Sequence, residues 1–129
     1  MRHYIAYHDV DERGYPHDST FDVRSAEPVS LAAGDTVWMI TGQSRPRRYT
    51  LHNVFVVSEF GYDEADHGDQ LASGRGYEID PPAPLGNEGW FTALLRETNG
   101  LARGIVMVDD PVAIQSLKAI ADKYGIRND

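Results

Sequence analysis

Cysteine is absent from this chain of 129 residues. Its absence excludes disulfides, thiolate nucleophiles and cysteine-ligated metal sites. A reducing, cytoplasmic setting is the expectation that fits. Positive charge is scarce: 12 Lys and Arg stand against 20 Asp and Glu, a net charge of −8. Non-specific nucleic-acid binding rests on neutralising phosphates, so this balance argues against it and leaves room only for a local basic patch. No stretch approaches the roughly 20 apolar residues of a membrane helix, and no membrane partner is expected. The N-terminal run Met1 to Asp9 is too short for a signal peptide. It reads as a first strand, so the natural start of the protein is expected to be present. His-Glu-x-x-His and Gly-x-Ser-x-Gly are both missing, which removes the usual signatures of a zinc hydrolase and a serine hydrolase. Nothing demands catalysis, a cofactor or a metal, and the expectation is a non-enzyme.

A hydrophobic fraction of 41% is ordinary and sufficient for one core. The length suits a single domain spanning 1–129. Charge is uneven. Residues 1–60 carry 6 basic and 8 acidic residues; residues 61–129 carry 6 and 12. The one basic cluster is Arg45, Arg47 and Arg48 around Pro46.

Strand signals come early. Tyr4 to Tyr7 is rich in aromatics, and Phe21 to Val23 reads as a short edge strand. Gly34-Asp35 turns the chain into Thr36 to Thr41, whose apolar run lacks alternation and so predicts a strand covered on both faces. Tyr49 to Ser58 is the best strand, with a bulge expected near His52-Asn53 to let it curve. Residues 61–76 read as a long polar loop, and Pro81, Pro82 and Pro84 as an extended crossing. Helical signals come late. Asn87 as N-cap opens a helix to Glu97, with Trp90, Phe91, Leu94 and Leu95 on one face. Gly104 to Val108 reads as a last strand. Asp110 as N-cap and Pro111 at the first helical position open a final helix whose inner face is Val112, Ile114, Leu117, Ile120 and Ala121. Gly125 ends it. About five strands with two helices in the C-terminal half make an α+β domain, and a small curled β-barrel with the helices packed on it fits better than a doubly wound sheet.

The string Gly34-Asp35-Thr36-Val37-Trp38-Met39-Ile40, the Gly/Pro/Arg loop after it, and Tyr49-Thr50-Leu51 through Phe55-Val56-Val57 resemble the PUA-like superfamily, its EVE-type branch in particular. Tyr4 to His8 and the Trp90-Phe91 helix are similar to small prokaryotic proteins and modules found with HNH endonucleases. The resemblance implies a PUA-like barrel that reads a modified base in DNA, methylated or hydroxymethylated, in a pocket of aromatic and polar side chains. Any cleavage would then belong to a separate nuclease partner.

Within that expectation Tyr7, Trp38, Tyr49 and Trp90 are the candidate pocket walls, since a flipped base is held by stacking and by bonds to its edge. His8 and Ser44 are candidate edge contacts. Arg45, Arg47 and Arg48 are candidate phosphate contacts. Each has a plainer alternative. Trp90 lies on an apolar helix face and reads first as core, and Trp38 divides evenly between core and pocket. Three surface arginines on an acidic protein also pair readily with carboxylates. The acidic stretch Asp63 to Asp69 lacks the oxygen-ligand pattern of a calcium loop, and Gly74-Arg75-Gly76 is too short for a phosphate-binding loop. Two other classes stay open: a module that docks another protein without nucleic acid, and a small nucleotide-binding enzyme.

Overall fold

The computed structural model describes residues 2–9, 21–25, 31–43, 48–63, 69–86, 88–98, 100 and 105–126. Among the described residues seven strands and two helices follow in the order β1 (His3–Asp9), β2 (Asp22–Ser25), β3 (Thr36–Gln43), β4 (Arg48–Asp63), β5 (Asp69–Pro84), α1 (Gly89–Glu97), β6 (Ile105–Val108), α2 (Pro111–Tyr124) and β7 (Gly125–Ile126). They form one mixed sheet in the order β2-β5-β4-β3-β1-β6, with β7 on β5. The sheet curls into a half-barrel, and both helices lie in the C-terminal half. Among the described residues no helix is long and apolar enough to cross a membrane.

β1 and β3 run parallel, and every other pair is antiparallel. β3 is buried along its length except at Gln43, as its unbroken apolar run predicts. One face packs Ile5, Trp38, Ile40, Leu51, Val54 and Ile79 against Phe91 and Leu94 of α1 and Ala113, Leu117 and Ala121 of α2. The other face packs Tyr4, Ala6, Val37, Met39, Phe55 and Val57 against Val23 and Ala72, which the curl brings over them. The bulge falls where it was expected. Ile40 pairs with Leu51 and Met39 with Asn53, so His52 is the extra residue. This reverses the strand's parity: Tyr49, Leu51 and Val54 face the helices, while Phe55 and Val57 face away.

Several expectations are corrected. The segment 61–76 is not one loop: β4 runs to Asp63 and β5 starts at Asp69, leaving only the connection outside the described residues. Its glycines misled because they serve close approach within a strand. A Cβ on Gly74 would strike the Val56 carbonyl oxygen, and one on Gly76 the Val54 carbonyl oxygen. The prolines end β5, where Pro84 pairs with Thr50, and residues 79–82 bulge opposite His52. Asn87 lies outside the described residues, and Glu88 is the cap of α1, without a side-chain bond. Asp110 does cap α2, accepting from the Val112 amide at 3.0 Å. Val112 itself is 61% exposed and Ala113 takes its place inward.

The Gly34-Asp35 turn ties three segments together. Gly34 adopts φ +94, a conformation glycine reaches without strain. Asp35 is buried, and its carboxylate accepts from the Arg2 amide at 3.0 Å and the Ala32 amide at 2.9 Å. Gly34 N–H donates to the Val57 carbonyl at 2.9 Å, and Val57 N–H donates to the Asp35 carbonyl at 2.8 Å. The start of β1, the turn and mid-β4 are thereby held in register.

Candidate functional site

Tyr7 lies near the end of β1 and Tyr49 near the start of β4, with β3 between them. Their rings meet, 5.8 Å apart, because Tyr7 leans over Gly42. A Cβ on Gly42 would run into the Tyr7 hydroxyl. Tyr49 stands edge-on to Phe91 of α1 at 5.2 Å, and Phe91 stands edge-on to Trp90 at 5.6 Å. Four rings thus form a row on the helix-bearing face: Tyr7, Tyr49 and Trp90 half-buried, Phe91 fully buried. The indole N–H of Trp90 is buried and has no acceptor. A buried donor left unpaired is uncommon and costly.

The β3–β4 ladder closes at this same end. Gln43 and Arg48 close the β3–β4 ladder, and Tyr49 follows directly. Arg48 is exposed. Ser44, Arg45 and Arg47 lie outside the described residues.

Two candidates are not brought to this row. Trp38 is only 3% exposed, in the core, and its indole donates to His3 Nδ1 at 3.1 Å. The two rings stack, 6.2 Å apart with 21° between planes. No part of that indole is offered to a stacking ligand. His8 follows the alternation of β1. Tyr4 and Ala6 face the second core, so His8 points to the face opposite Tyr7. Beside it Thr41 and Thr50 share a hydroxyl hydrogen bond of 2.9 Å.

His3 has a perturbed proton affinity. Burial is the first cause that pushes its pKa below the ordinary value, with Lys118 and the chain's N-terminal charge adding to it and Asp35 opposing. Its Nδ1 accepts the Trp38 bond, so the neutral ring is the form that fits. Among the described residues no three His, Asp or Glu side chains converge to hold a metal ion.

No family model, curated protein or solved structure matches the chain.

The arrangement sets half-buried Tyr7, Tyr49 and Trp90 in one row, with exposed Arg48 directly before Tyr49. Sequence reasoning missed Gly42 and Phe91 as parts of it. Gly42 sits at the head of the Arg/Pro segment and reads as loop, and its role depends on a ring from a strand 35 positions earlier. Phe91 was recognised only as helix-face core, yet it is the link between Tyr49 and Trp90.

Proposed function

We propose that the chain is a PUA-like, non-catalytic reader that takes a flipped, modified cytosine from DNA at the Tyr7–Tyr49–Trp90 row. The observation that carries this reading is the row of rings itself, with exposed Arg48 directly before Tyr49 at the start of β4. Rings stack a base; the segment bearing Arg45, Arg47 and Arg48 grips the flanking phosphates; Ser44 reaches a base edge. Trp38 and His8 take no part. The curled sheet with two helices supports the reading at the level of architecture. With a net charge of −8, binding would depend on that segment and not on the general surface. A nuclease, where cleavage occurs, is a separate partner.

Tryptophan fluorescence tests it. Duplexes carrying cytosine, 5-methylcytosine or 5-hydroxymethylcytosine are titrated at two salt concentrations. One modified duplex is expected to quench, Trp90→Phe to abolish the response and Trp38→Phe to retain it. Replacing the three arginines by alanine is expected to lower the salt slope by about 3 × 0.9, the share of three phosphates. No response to any duplex at low salt refutes the reading. A module that docks another protein is then favoured, as the acidic charge and the 57% exposed Phe60 suggest.

A further inference from the structure

His3 opens β1 on the helix-bearing face, beside Trp38 of β3 and opposite Val108 of β6. Its imidazole stacks on the Trp38 ring, and its Nδ1 accepts the indole N–H at 3.1 Å. An indole nitrogen can only donate, so this bond requires an Nδ1 without a proton. The neutral ring meets that condition with its proton on Nε2. The imidazolium donates from both nitrogens and does not. Trp38 is buried, so an indole that loses this acceptor in place keeps a costly unpaired donor. The bond and a second proton on His3 exclude each other. The surroundings act in the same direction. Burial is the largest influence against the imidazolium, Lys118 of α2 and the N-terminal charge add to it, and Asp35, in the turn before β3, opposes them. The Asp35 carboxylate is itself committed to the Arg2 and Ala32 amides. On β6, Val108 carries no charge and Asp109 after it is exposed. Arg2, next to His3 in the chain, is bonded to Tyr4, which faces the second core.

We propose that the His3–Trp38 pair is an acid-released clasp: protonation of His3 breaks the bond and opens the corner where the start of β1, β3, β6 and α2 meet, while the rest of the sheet stays paired. Two features decide which ring moves. Trp38 is packed in the main core with Ile5, Val108 and Leu117, and cannot leave without emptying it. His3 is half-buried at the first position of β1, and its side chain alone need swing to solvent. The backbone there is held independently of the imidazole. Thr36 N–H donates to the Arg2 carbonyl at 2.9 Å, and the Arg2 amide donates to the Asp35 carboxylate at 3.0 Å. Opening is therefore local, and water reaches the indole N–H where the imidazole has left. The sign follows from the lowered proton affinity of the folded state. The clasp is closed above the ordinary histidine value of about 6.5 and opens as pH falls through the lower value His3 has when folded.

The chain has two tryptophans, so Trp90→Phe leaves Trp38 as the sole reporter of the clasp. From pH 8 to pH 4 at low salt, its emission is expected to shift to the red in a single one-proton step, with a midpoint below the ordinary histidine value. The far-UV circular dichroism is expected to stay constant through that step. His3→Gln in the same background offers an amide oxygen to the indole but does not titrate, and it is expected to abolish the step. Lys118→Met changes an exposed side chain and is expected to raise the midpoint by removing a positive charge. It keeps the test decisive where His3→Gln fails to fold. Long-range proton–nitrogen spectra at pH 8 are expected to show His3 carrying its proton on Nε2. Any of five results overturns the proposal: no emission step, a step that survives His3→Gln, a midpoint that Lys118→Met lowers or leaves in place, secondary structure lost together with the step, or a proton on Nδ1 at pH 8.

Discussion

Replacing Asp35 by alanine removes two acceptors from one buried turn. Its carboxylate receives the Arg2 and Ala32 amides at 3.0 and 2.9 Å, and the residue is 4% exposed. Hydrogen bonds to a charged group contribute about 1.5–3 kcal/mol each. Arg2 and Ala32 are themselves exposed, so water replaces part of what is lost. The lower end applies, and the expected loss is about 2–3 kcal/mol. With a urea slope of about 2 kcal/mol/M, the unfolding midpoint falls by about 1–1.5 M at unchanged slope. The backbone bonds of the turn, from Asp35 N–H to the Ala32 carbonyl and from Val57 N–H to the Asp35 carbonyl, survive the change and hold the fold together. Asp35→Asn keeps the shape but turns one acceptor into a donor facing a backbone N–H. It is expected to lose nearly as much as alanine. A loss for Asp35→Ala within about 0.5 kcal/mol, the ordinary range of surface changes, would refute the reasoning. A fully tolerated asparagine would refute the part that assigns the effect to acceptance rather than shape.

Gly74→Ala is expected to destabilise by about 1–3 kcal/mol, because the added carbon meets the Val56 carbonyl of the paired strand, which cannot move aside. Gly42→Ala meets only the tip of Tyr7, which can rotate, so its cost in a denaturant melt is expected to be smaller while the Tyr7–Tyr49 contact is lost. Equal costs would contradict this difference between backbone and side-chain obstacles. His3 binds its proton more weakly in the folded state, chiefly through burial. The unfolded chain therefore holds more protons on the acid side. Stability is full above the ordinary histidine value of about 6.5, falls as pH drops below it, and levels off below the depressed folded value. His3→Gln is expected to flatten that acid limb in denaturant melts from pH 8 to pH 5, and parallel curves for both proteins would count against it.

The division between sequence and structure follows the range of each interaction. Local chemistry was legible. Asp110 and Pro111 marked the start of α2 because capping acts within three residues. The apolar run of β3 announced burial on both faces because the strand period is two. The bulge at His52 was readable from a strand too long to stay flat. The α+β class and the late helices needed only the order of such segments.

What the sequence could not determine is whatever depends on a partner far along the chain. Gly74 and Gly76 look like loop residues until β4 lies against them, since a missing side chain has no meaning without the neighbour it makes room for. Asp35 looks like a turn residue until the amide of Arg2, 33 positions away, arrives at its carboxylate. Trp38 divided evenly between core and pocket, and only the stacking of His3 across the parallel β1–β3 pair placed it in the core. Tyr7, Tyr49 and Trp90 were each visible as aromatic residues. Their assembly into one row was decided by the curl of the sheet and the docking of α1, because ring contacts are short-ranged and the chain brings these rings together only when folded.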